Sequence, residues 1–178
     1  MTLRTRGATT LAALVAGVIL AGCFSSNDAM STATRRGPLG GQFKISFPHT
    51  PKRVTFIDVG VKQSQYGVGV ESNTTYASGG NGPPEVNVWV QSLTNVVPPR
   101  RVNPFLRSYL ENHGGRIIKW SGLPAAEEFV PGCDQSGQCI GTVGNLVVLK
   151  GTTLYFVFTH QYSKSVAREV IRSFKVIR

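Results

Sequence analysis

The sequence predicts an α+β fold, an antiparallel β-sheet flanked by helices, on three observations. From about residue 42 the chain carries short runs in which apolar and polar residues alternate, separated by Gly, Pro, Asn and Ser; this is the period-two pattern of half-buried strands. Two later stretches switch to helical spacing. The strands come in runs broken by single helices, the order expected when helices pack on an antiparallel sheet.

Taken in order, "FKISF" (43–47) puts Phe43, Ile45 and Phe47 on one face of a strand. "RVTFIDVGV" (53–61) follows a Pro48…Pro51 break and is partly apolar on both faces, and "YGVGV" (66–70) reads as a third strand. "SGGNGPP" (78–84) reads as a loop. In "EVNVWVQSL" (85–93), Val86, Val88 and Val90 alternate with Asn87, Trp89 and Gln91.

The period then changes. In "NPFLRSYLENHGG" (103–115), Asn103 is a cap and Pro104 suits the first turn, where its missing N–H has no partner to lose. Phe105, Leu106, Tyr109 and Leu110 make one stripe, and Gly114-Gly115 ends the helix.

"RIIKW" (116–120), "AEEFV" (126–130), "CIGTVGNLVVLK" (139–150) and "TLYFVFTHQY" (153–162) are the next strands, the last two joined at Lys150-Gly151-Thr152. Leu154, Phe156 and Phe158 face one way and Tyr155 and Val157 the other, so this strand is central and covered on both sides. A second helix spans "SKSVAREVIRSF" (163–174), capped by Ser163 or Ser165, with Val166, Val170, Ile171 and Phe174 as its buried stripe. "KVIR" adds a final extended piece.

Ahead of this domain stands a different kind of segment. Arg4 and Arg6 precede an almost unbroken apolar or small-residue run from Ala8 to Ala21. The run has the length of a signal peptide, whereas a spanning helix needs roughly 20 apolar residues. Its ending, Leu20-Ala21-Gly22-Cys23, resembles the bacterial lipobox. Small residues at 21 and 22 fit a peptidase cleft, and the thiol at 23 is the nucleophile that takes a diacylglyceryl group. The alternative is an ordinary secretory signal followed by a chance cysteine.

On the lipobox reading residues 1–22 are a removed leader and the mature chain has 156 of the 178 residues. More than one acyl chain then holds it on a membrane, since a single chain binds only marginally. Residues 23–41 form a lipidated tether, rich in Ser, Thr, Gly and Ala, with a random-coil reach of about 25 Å. Residues 42–178 hold one domain. The expected address is the outer, extracytoplasmic face of the cell membrane.

Only Cys133 and Cys139 remain after lipidation, in "PGCDQSGQC". In an exported chain they read as a disulfide across a turn built by Asp134-Gln135-Ser136-Gly137. A metal site is the competing reading, and it lacks a nearby histidine or second Cys pair.

Of the 19 basic residues, 17 survive loss of Arg4 and Arg6, against 9 acidic ones, a formal +8. Nucleic acid is not an expected partner outside the cell. Anionic lipid, acidic wall polymer or an envelope protein is. The charge is not evenly spread: Lys164, Arg168, Arg172 and Lys175 recur along one side of the last helix, opposite Val166 and Val170, and Arg100-Arg101 sits in a Pro-bounded loop. These six residues are either a docking surface or an ordinary solvated face.

"FKISFPHTPKR", "GGRIIKWSGLPAAEE" and "GTTLYFVFTHQ…VIRSFKV" together resemble the PsbP-like superfamily, which includes photosystem extrinsic proteins and small bacterial lipoproteins. The resemblance covers most of residues 42–178, departing at the Cys133–Cys139 insert and the 78–84 loop. It implies an α/β/α sandwich and binding or assembly roles, and no catalytic residues, cofactor or metal.

The residues themselves suggest no catalysis. His49, His113 and His160 stand apart, at a Pro-flanked turn, a helix end and a strand end. No serine occupies a G-x-S-x-G elbow, Asp58 and Asp134 are single acids, and Glu127-Glu128 on a strand point to opposite faces. The expectation is therefore a tethered, non-catalytic binding or assembly factor of the envelope, with a carrier of a small apolar ligand or lipid as the second reading.

Overall fold

Residues with the strongest period-two alternation do become strands, and register settles which of their faces is inward. The computed structural model describes residues 31–36, 42–57, 66–80, 82–110 and 115–177, with backbone alone for 31–36 and 55–57. Cys23, Asp58 and His113 lie outside the described residues.

In chain order the strands are β1 (Ser31–Arg36), β2 (Gln42–Phe47), β3 (Lys52–Ile57), β4 (Val70–Gly80) and β5 (Gly82–Leu93). A single 3₁₀ turn, Pro99–Arg101, leads into α1 (Val102–Arg107). Then come β6 (Arg116–Trp120), β7 (Leu123–Cys133), β8 (Cys139–Lys150) and β9 (Thr153–Gln161), followed by α2 (Lys164–Ser173) and β10 (Lys175–Ile177).

Seven strands form one antiparallel sheet in the order β3-β4-β5-β9-β8-β7-β6, and β1-β2-β10 form a smaller one. The small sheet and α2 cover one face of the large sheet. There Phe43, Ile45 and Phe47 of β2 meet Val86, Val88, Val90, Tyr155, Val157 and, from α2, Val170 and Ile171. All three β2 side chains are fully buried, each stabilising the fold by about 1.5–3 kcal/mol. On the opposite face, Phe105 and Leu106 of α1 pack on Ala126, Val147, Leu149 and Leu154. β9 lies between β5 and β8 and contributes to both cores, the central position expected of it. The class is thus α+β with a dominant antiparallel sheet. The two helices are short and touch opposite faces, without forming complete outer layers.

Several elements differ from expectation for local reasons. The glycine-proline stretch 78–84, expected to be a loop, is drawn into strands apart from residue 81, which lies outside the described residues: β4 reaches Gly80, β5 starts at Gly82, and the two glycines pair. Gly79 makes this possible: at φ +119 a Cβ would lie 2.5 Å from the Pro84 carbonyl oxygen. The expected strand 66–70 is mostly approach, with only Val70 inside β4. The strand proper runs through "ESNTTYASGG", whose polar residues hide its pattern.

The first helix is shorter than expected and begins at Val102 after an Arg101 N-cap, not at an Asn103 cap. The Ser108 hydroxyl donates to the Phe105 carbonyl at 2.7 Å, a side-chain bond that competes with the helical ladder. In α2 the cap is Ser163, whose Oγ accepts from Val166 N. That start turns Ala167, Val170 and Ile171 inward and leaves Val166 37% exposed, so Ala167 holds the place expected of Val166. Lys175 belongs to β10, not to the helix.

Candidate functional site

Lys164, Arg168 and Arg172 are exposed and stand four residues apart on α2. With a rise of 1.5 Å per residue, successive members are about 6 Å apart, a row of about 12 Å. Opposite this row, β6 presents Arg116, Ile118 and Trp120, which line the same depression; alternate strand residues repeat at about 6.7 Å. Glu127 and Phe129 of β7 lie between the two rows. The result is an open cleft of two adjoining hollows, about 380 and 530 Å³, sharing Arg116, Glu127, Phe129 and Arg168.

Each wall is positioned by ordinary packing. Ile118, Trp120 and Phe129 are half-buried against the core that α2 seals. The Trp120 indole N–H donates to the Phe174 carbonyl at 3.1 Å, which ties the strand wall to the end of the helix wall. Arg168 lies over the Phe129 ring, 5.5 Å from its centre, a cation–π contact that orders the guanidinium without consuming its hydrogen-bond donors.

The cleft is cationic. Lys164, Arg168, Arg172 and Lys119 are exposed basic groups along it, and Arg116 is a fifth, its side chain 76% exposed. Arg116 donates to Glu127, whose side chain is only 11% exposed. Glu128 points to the other face of β7, as its neighbour Glu127 requires, and accepts from Asn145 Nδ2 at 2.8 Å. The arrangement provides guanidinium and ammonium donors over a partly apolar floor, the chemistry that holds phosphate or carboxylate.

Of the six basic residues singled out in the sequence, the fold brings together Lys164, Arg168 and Arg172. It does not add Lys175, which pairs in register with Lys44 at the small sheet, or Arg100 and Arg101, in the turn before α1. The cleft residues missed by sequence reading are Arg116, Lys119, Trp120, Glu127 and Phe129. The alternation Arg116-Ile118-Trp120 carried the only available signal, a charged, an apolar and an aromatic residue sharing one strand face.

The hairpin tip is built as expected. Cys133 and Cys139 face one another across β7 and β8 and are disulfide-bonded. Asp134 Oδ1 accepts from Ser136 Oγ, Ser136 N and Gln138 N. Those bonds, the Ser136 hydroxyl first, hold its carboxyl below the usual range. His160 places a ring nitrogen 2.5 Å from the Ile140 carbonyl oxygen. The backbone of His49 is tied to Ser78 Oγ in both directions. Among the described residues no group of three or more His, Cys, Asp and Glu is placed to hold a metal ion, and no helix is long and apolar enough to cross a membrane.

Compared with family models, with curated proteins and with solved structures, the chain matches none.

Proposed function

We propose that this protein is a lipid-anchored, extracytoplasmic, non-catalytic binding factor that holds an acidic envelope partner in the cleft between α2 and β6. One observation carries the reading. Lys164, Arg168 and Arg172, close in sequence, are met across the cleft by Arg116 from a distant strand, while of the two carboxylates in the lining Glu127 is engaged by Arg116 and Glu128 accepts from Asn145. A merely solvated helix face would need no such opposing wall.

The anchor in this proposal is Cys23 at the end of Leu20-Ala21-Gly22, with residues 24–30 as tether; Ser31–Arg36, expected within the tether, instead form β1 and pair with β2. The PsbP-like resemblance belongs to the same reading: its binding and assembly roles agree with a site made of donors and apolar floor.

The test uses two full-length variants of equal charge. Lys164→Gln/Arg168→Gln/Arg172→Gln removes three cations from the cleft, and Arg100→Gln/Arg101→Gln/Lys175→Gln removes three from elsewhere. The first is expected to lose binding to acidic envelope polymer while the second keeps most of it; equal losses would reduce the cleft to bulk charge. Mass analysis of the native N-terminus tests the anchor, which an unmodified Cys23 would remove.

A further inference from the structure

Resting on that reading of the cleft, we infer that its occupant is a linear polyanion with charges spaced by about one helical turn, of the polyol-phosphodiester type. Three features narrow the class. The cations form a line in a trough rather than a plane: Lys164, Arg168 and Arg172 along one wall, Arg116 on the other. A planar membrane surface cannot reach into a trough with Glu127 and Phe129 at its base.

The second feature is spacing. Wall cations repeat at about 6 Å along α2. Phosphates joined through a three-carbon polyol are separated by six single bonds of about 1.5 Å, about 7 Å when extended. Each phosphate can then meet one cation, with its carbon linker over Ile118 and Trp120. Phosphates joined directly through oxygen repeat too closely to match.

The third feature is what the cleft does not offer. An acidic peptide brings main-chain N–H and C=O groups that must find partners when covered. β7, the floor, is hydrogen-bonded on both sides, to β6 and β8; β6, the edge strand, pairs with β7 along its floor side and leaves open only the edge facing away from β7, and the main chain of α2 is used within the helix. The lining is side chains rich in donors, which suits a ligand made of phosphate oxygens and hydroxyls.

The experiment measures binding of the full chain in neutral detergent to a glycerol-phosphate oligomer of three phosphates. Inorganic tripolyphosphate, a peptide of alternating Glu and Ser, and phosphatidylglycerol vesicles serve as competitors. The oligomer is expected to bind roughly tenfold tighter than tripolyphosphate or the peptide, and Arg168→Gln/Arg172→Gln to weaken it by a similar factor. Arg100→Gln/Arg101→Gln should change it less than about twofold. Glu127→Gln, which leaves both walls intact, should tighten it. Tripolyphosphate, peptide or vesicles binding as well as the oligomer, with the loss still confined to Arg168→Gln/Arg172→Gln, overturns the polymer inference and leaves the acidic-partner reading standing. Failure of every anion to bind the wild-type chain at low salt overturns both.

Discussion

The guanidinium of Arg168 lies 5.5 Å above the ring centre of Phe129, so a residue of the last helix is set in place by a strand some forty positions earlier. The pairing gives α2 a rigid donor where an isolated exposed arginine would sample many rotamers. Its contribution to ligand affinity is therefore separable from its charge.

Phe129→Leu keeps an apolar side chain and removes the ring. Affinity for a polyanion should fall several-fold, since an exposed cation–π contact is worth about 0.5–1 kcal/mol, while net charge is unchanged. Calorimetric titration of the two proteins checks this; equal affinities would mean that Arg168 needs no ordering.

Glu127→Gln tests the other wall. Gln can still accept from Arg116, so stability should change by no more than about 1 kcal/mol, while the cleft gains one unit of net positive charge. Binding should tighten and its dependence on ionic strength should steepen. A thermal melt and titrations at two salt concentrations measure both.

Tyr155 is fully buried and its hydroxyl has no hydrogen-bond partner, an arrangement that costs about 1–3 kcal/mol. Tyr155→Phe removes the cost without changing the ring contacts to Phe43 and Phe174. It should raise the melting temperature by a few degrees.

Burial also pushes the phenols of Tyr109 and Tyr155 up to about 12 from 10. Both groups keep their protons in the fold while the unfolded chain loses them, so they leave stability unchanged below pH 10 and erode it between pH 10 and 12. Denaturant melts across that range should show the loss, and Tyr155→Phe should make it shallower.

Opening the Cys133–Cys139 bond frees a loop of six positions, worth about 2 kcal/mol in chain entropy. Reduction, or Cys133→Ser/Cys139→Ser, should lower the melting temperature without abolishing the fold, because Asp134 still closes the turn through Ser136 and Gln138. Circular dichroism with and without reductant measures the change.

Much of the architecture was legible because it is local. β6 and β8 span the residues their alternation marks, and α2 runs from the Ser163 cap along its apolar stripe. What was hidden depends on partners. Val166 and Ala167 are adjacent, and only docking on β8 and β9 decides which one turns inward. Residues 78–84 look like a loop because Gly and Pro favour turns in isolation; pairing with Val86 and its neighbours overrides that. In the cleft, the helix row was visible as a periodicity. Its opposing wall was not, because no spacing within "RIIKW" reveals which distant helix it will meet.

The small sheet also sets an order in time. The backbone of Ser46 in β2 donates to the hydroxyl of Ser173, 127 positions on, and β10 follows directly to zip along β2 from Lys175 to Ile177. As the polypeptide emerges, Phe43, Ile45 and Phe47 must wait, with one strand edge bare, until nearly all the rest has been synthesised. That interval is a window of exposure to aggregation, and a holding chaperone that covers the bare edge of β2 during synthesis would shorten it.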